Sequence, residues 1–168
     1  MDLVIVRHAI AEERETFART GQDDALRPLT APGRRKMERA AAGIARVAPE
    51  VDALASSPLV RARDTAAILA PALGLRRVEE VEALAPDAEP EALLPWLRAQ
   101  ARRRAVAVVG HEPHLGLLVA LLLAGRNEPF AILRKGGACL VRLPRRPGPA
   151  TGELRWLLEP SQLRALGR

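Results

Sequence analysis

Aromatic side chains are nearly missing from this chain of 168 residues, which has two Trp, two Phe and no Tyr. Its core must therefore be built from Ala, Leu, Val and Ile. Single-stranded nucleic acids are held by stacking on aromatic faces, so the shortage argues against that role. Cysteine is also scarce. Cys139 stands alone, which excludes an intrachain disulfide and a cysteine cluster for zinc, and suits a reducing compartment. The longest apolar run, Leu115 to Ala124, falls well short of the roughly 20 residues a membrane span needs. Met1 leads straight into a short apolar segment with no basic, leader-like stretch, so a cytoplasmic protein without a membrane partner is expected.

Charge is plentiful, with 26 Lys plus Arg against 20 Asp plus Glu, a net +6 carried almost wholly by arginine. Such a balance can steer anionic ligands inward. The arginines are scattered through an Ala-, Pro- and Arg-rich chain, however, and read as a solvated surface, so no nucleic-acid partner is expected.

The apolar pattern alternates between strand and helix. Leu3–Val6 is a continuous apolar run of the kind a doubly covered strand shows. Residues 9–29 are polar and read as a loop with at most a helical turn. Thr30-Ala31-Pro32-Gly33 opens a helix with a Thr cap, and Met37, Ala41, Ile44 and Val47 follow at helical spacing. Residues 51–57 read as a second strand. A helix over 59–73 follows, which Pro71 should end or kink early. A third strand is expected within 76–84, a helix over about 90–102, a fourth strand at 105–109 and an apolar helix at 113–123. Residues 138–143 and 153–158 read as an antiparallel pair, and a short helix over 160–166 closes the chain. The expected architecture is a single α/β domain over 1–168, a three-layer sandwich. Its sheet would be mostly parallel, with helices on both faces and an antiparallel C-terminal edge.

Three segments carry polar residues directly after a buried strand. They are Arg7-His8, then Ser56-Ser57-Pro58 with Arg61 and Arg63, and Gly110-His111. Ligands of open α/β sheets sit outside the carboxyl ends of the strands, so these segments would bring two imidazoles and two guanidiniums to one rim. Guanidinium forks bind phosphate oxygens in pairs. A neutral imidazole is a good nucleophile near pH 7, and nearby cations favour its neutral form. Helices beginning after Pro58 and Pro113 would add backbone donors to the same anion. His114 reads as a packing or capping residue, Arg63 as a surface arginine, and Glu12-Glu13-Arg14 as a charged loop face.

Val6-Arg7-His8-Ala9, Ser56 through Ala66 and Val109-Gly110-His111-Glu112-Pro113 resemble, in order and spacing, the histidine phosphatase superfamily. Arg27-Pro28-Leu29-Thr30 is similar to a stretch of its small phosphohistidine phosphatase branch, the SixA type. The resemblance implies a phosphoglycerate mutase-like fold with His8 as a phosphorylated nucleophile. Arg7 and Arg61 would clamp the phosphate, His111 would serve as a second imidazole, and Arg27 would contact phosphate or substrate at the rim. It implies no metal and no organic cofactor. The general acid of larger relatives has no clean match; Glu82 and Glu80 fall in its region, and both also read as solvated carboxylates. A phosphorylated protein, such as a phosphotransfer domain, is the expected partner, with a small phosphoester as the alternative; a non-catalytic module that binds phosphate or nucleic acid through its arginines is the remaining reading, disfavoured because both His8 and His111 are present.

Overall fold

The computed structural model describes all residues, 1–168. Six strands form one sheet: β1 (Asp2–Arg7), β2 (Ala53–Ser56), β3 (Glu79–Glu80), β4 (Ala105–Gly110), β5 (Ala138–Arg142) and β6 (Glu153–Leu158). Their order is β3-β2-β4-β1-β5-β6. The first four run parallel, and β5 and β6 join antiparallel beside β1. This is the expected α/β sandwich with its antiparallel C-terminal edge.

Side-chain alternation divides the core. Val4 and Val6 pack on one face with Met37 and Ile44 of α2 (Ala31–Val47), Leu69 of α3 (Val60–Ala72) and Leu163 of α6 (Pro160–Leu166). Leu3 and Ile5 pack on the other with Leu97 of α4 (Leu94–Ala99) and Leu115, Leu118 and Leu122 of α5 (His114–Ala124). Helix α2 starts as its sequence requires, with Thr30 Oγ1 accepting the Gly33 N–H at 3.0 Å. A one-turn helix, α1 (Arg14–Ala18), and a 3₁₀ turn at Asp24–Leu26 interrupt the loop after β1.

Three expectations need correction. The third strand shrinks to Glu79–Glu80, because the segment is charged, lies at the sheet edge and pairs only with β2. The helix over 90–102 is a 3₁₀ turn at Pro90–Leu93 followed by the short α4, with Pro95 in its first turn, where a missing N–H costs nothing. Pro71 does not end α3 early; it sits in the last turn, which runs through Ala72 before the positive-φ Gly74.

Register positions the chemistry. Arg7 lies opposite Gly110, and Ser56 opposite Val109. The carboxyl ends of β1, β2 and β4 therefore stop at one rim, stitched by His8 N–H to Gly110 O and Ser57 N–H to Val109 O, each 3.0 Å. Antiparallel β5 starts at the same rim, where Gly136 N–H reaches the carbonyls of Arg7 and His8.

Helices α2 and α6 cross so closely that a Cβ on Gly43 would lie 1.9 Å from the Leu163 carbonyl oxygen. Gly→Ala inside a helix ordinarily gains about 1 kcal/mol. Here Gly43→Ala is expected to lose about 1–3 kcal/mol through overpacking, read from urea unfolding of both proteins.

Candidate active site

A cavity of about 250 Å³ opens at this rim. Arg7, His8, Arg27, Arg61 and His111, all singled out by the sequence, line it together. The two imidazole centroids are 5.1 Å apart. Both rings are buried, as is the Arg61 side chain.

The His8 ring is fixed at one nitrogen. Its Nδ1 lies 2.7 Å from the Ala9 carbonyl oxygen. A carbonyl only accepts, so Nδ1 carries the hydrogen and Nε2 keeps its lone pair. Burial, opposed by the Ala9 hydrogen bond and reinforced by Arg61, Arg7 and Lys135, lowers the His8 pKa to about 3. Burial, then His8 and Arg61, lowers that of His111 to about 2. The imidazole that can attack is therefore neutral throughout the physiological range.

Thr65 of α3 couples the turn that holds His8 to Arg61. Its hydroxyl accepts the Ala9 N–H at 3.0 Å and donates to the Arg61 carbonyl at 2.7 Å. His111 Nε2 lies 2.8 Å from Ser57 Oγ, which ties the rim of β4 to that of β2. Six buried side-chain nitrogens in the chain have no partner, and three of them, Arg7 Nε, Arg61 Nε and His111 Nδ1, belong to residues lining this cavity. Unpaired buried nitrogens are costly, and a bound oxyanion is the kind of ligand that can satisfy them.

Carboxylates hold the arginines in place. Asp24 accepts from Arg27 Nε at 2.8 Å and lies 3.2 Å from Arg61 NH1, which also donates to the Asp24 carbonyl at 3.0 Å. Burial alone would raise the Asp24 pKa, but the hydrogen bond from Arg27 and the charges of Arg61, Arg27 and Arg14 outweigh it and hold it below the usual range. Glu112 accepts the Leu133 N–H at 2.8 Å and the Gly116 N–H at 3.2 Å. The Leu133 carbonyl in turn accepts from Arg7 NH1 at 2.8 Å. Burial raises the Glu112 pKa, against its two backbone donors and Arg7.

Some placements differ from the sequence expectations. Glu82 is exposed and outside the cavity lining; Pro86, four residues on, reaches the rim instead. Glu80 is exposed and pairs with Arg63 at 3.2 Å. Glu13 and Arg14, read as a solvated loop face, line the cavity with Asp24, Glu112 and Lys135. The first turn of α5 offers fewer donors than expected, because Leu115 N–H goes to His111 O, Gly116 N–H to Glu112 and Leu117 N–H to Pro113 O. His114 is buried with both ring nitrogens unpaired, a packing residue.

The family model described as the histidine phosphatase superfamily (branch 1) matches residues 3–85. An uncharacterized protein of Picosynechococcus sp. (strain ATCC 27264 / PCC 7002 / PR-6) is 34% identical over 139 residues, 82% of each chain. The chain belongs to the histidine phosphatase superfamily. Its fold is that of SixA: a structure of the protein histidine phosphatase SixA complexed with tungstate superposes with a TM-score of 0.82 at 25% identity, covering 97% of this chain and 99% of that one. A phosphoserine phosphatase from Entamoeba histolytica in complex with phosphoserine shares the fold at a TM-score of 0.73 and 16% identity, over 96% and 98% of the two chains.

Two outcomes test this histidine phosphatase site. The unfolded chain takes up protons near pH 6.5, whereas buried His8 and His111 resist protonation down to about 3 and about 2. Acid therefore removes stability, by up to about 1.4 kcal/mol per histidine for each pH unit below 6.5; His8→Ala and His111→Ala should flatten the fall in unfolding free energy between pH 6.5 and 3. Thr65→Val strands the Ala9 N–H, and should lower stability by about 1–3 kcal/mol and lower kcat with it.

Proposed function

We propose that this histidine phosphatase hydrolyses phosphohistidine on a protein, passing the phosphoryl group through His8. Neutral His8 Nε2 attacks phosphorus in line, the bond from phosphorus to the substrate nitrogen breaks with its electron pair going to that nitrogen, and a proton already on the ring's other nitrogen makes the leaving group neutral imidazole. Water then attacks phospho-His8, releasing inorganic phosphate and restoring the neutral ring. Arg7 and Arg61 hold the equatorial oxygens, where charge spreads in the transition state. His111 donates to the same group, and Arg27 contacts the substrate at the rim. None of these steps uses a metal or organic cofactor.

The observation that carries this reading is the Nδ1–H to Ala9 hydrogen bond, which leaves Nε2 unprotonated in a cavity walled by Arg7, Arg61 and His111. The tungstate bound by the related SixA, a tetrahedral oxyanion, supports it. The substrate follows from acid chemistry. An alkoxide leaves only with a proton from a strong donor, whereas a phosphohistidine protonated at its other ring nitrogen releases neutral imidazole readily. Of the carboxylates at the cavity, Asp24 is held ionised among arginines and Glu112 accepts two backbone N–H groups. Glu82, the acid implied by resemblance, stands outside. A phosphotransfer domain presents a suitable phosphoramidate, and a cytoplasmic setting suits both such a partner and a buried, unpaired Cys139.

A second reading, hydrolysis of small phosphoesters, is favoured by exposed Glu13 at the cavity mouth, which would serve as its acid, and by the likeness to a phosphoserine phosphatase. Turnover of a phosphohistidine protein, phosphoserine and para-nitrophenyl phosphate separates the two. The phosphohistidine protein should turn over fastest, with Glu13→Gln and Glu82→Gln unchanged. Faster phosphoserine turnover that collapses in either variant would select the second reading.

The nucleophile is tested by rapid quench. Acid-labile, base-stable phosphate should accumulate on the wild type and be missing from His8→Ala. In His111→Ala the rate should fall by about 10²–10⁴, the usual scale for a positioned donor.

A further inference from the structure

Beside the catalytic cavity lies a wider groove of about 550 Å³, walled by Lys36 of α2, Arg134 and Lys135 before β5, and Arg164 of α6, with Arg7 at its inner end. Arg7 and Lys135 line both spaces, so the groove and the catalytic cavity share a wall. Lys36 and Lys135 are the only lysines in the chain. Neither they nor Arg164 has an acidic partner within ion-pair distance. The groove's one carboxylate, Glu159, is taken by Arg134 at 3.3 Å.

Resting on the phosphohistidine reading, we propose that this groove receives an acidic stretch of the protein substrate flanking its phosphorylated histidine. Because Arg7 and Lys135 line both spaces, a segment adjoining a phosphoryl group on His8 has a direct way over Lys135 into the groove. Lysine ammoniums on flexible stems meet carboxylates at varied positions. Nucleic acid is disfavoured by the lining itself, in which Ile10 and Pro160 are the apolar members and no aromatic face is offered.

The test pairs binding with turnover in wild type, Lys36→Glu/Arg164→Glu and Lys36→Gln/Arg164→Gln. A labelled, unphosphorylated peptide of Asp and Glu residues should bind wild type in low salt, more weakly in the Gln pair, and about tenfold or more weakly in the Glu pair. On a phosphohistidine protein with acidic flanks, kcat/KM should fall in the same order, while para-nitrophenyl phosphate turnover stays unchanged. Equal peptide binding by all three proteins would overturn the proposal. So would parallel loss of para-nitrophenyl phosphate turnover, or tighter binding of an oligonucleotide or a phosphatidylserine vesicle than of the peptide. A wild type that binds the peptide but turns over no phosphohistidine would keep the groove and overturn the substrate reading instead.

Discussion

The 2.7 Å hydrogen bond from His8 Nδ1 to the carbonyl of Ala9 is the contact on which the chemistry of this rim depends. It decides which nitrogen carries the hydrogen, and so which one can attack. The carbonyl is held in turn, because the N–H of the same residue donates to Thr65, whose hydroxyl donates to the Arg61 carbonyl. His8 and one guanidinium are thus referred to a single side chain on α3. Burial completes the arrangement, since a ring taken from water among cations stays neutral.

Gathering arginines around one cavity is electrostatically costly, and the fold offsets the cost with carboxylates. Asp24 balances Arg27 and Arg61 from the side and through its own backbone carbonyl. Glu112 acts less directly. It fixes the Leu133 N–H, and the carbonyl of Leu133 receives Arg7. Arg61 is therefore held by a carboxylate it meets directly, and Arg7 through a peptide unit that a carboxylate pins. In both cases other nitrogens of the guanidinium remain for a ligand, as the unpaired Nε atoms of Arg7 and Arg61 indicate.

The sheet explains why so few residues suffice. Parallel β1, β2 and β4 end in register, so single residues after each strand converge without long loops. Antiparallel β5 then brings Lys135 to the same place from the opposite chain direction. The basic groove follows from that geometry, because the turn that delivers Lys135 also packs beside α2 and α6.

The sequence by itself determined the alternation of strands and helices, the capped start of α2, the antiparallel final pair and the meeting of Arg7, His8, Arg61 and His111. Those features rest on local periodicity, on turn chemistry and on the rule that polar residues after buried strands face the ligand end. Tertiary structure alone decided which carboxylates serve the site. Asp24 and Glu13 are unremarkable acids in a chain with 20 of them, and only long-range packing brings them to the rim while leaving Glu82 in solvent; Glu112 arrives with His111, its neighbour in the chain. It also decided the fate of β3 and α4. At β3 only the two residues that pair with β2 at the sheet edge stay in the strand, and α4 begins where Pro95 falls within its first turn.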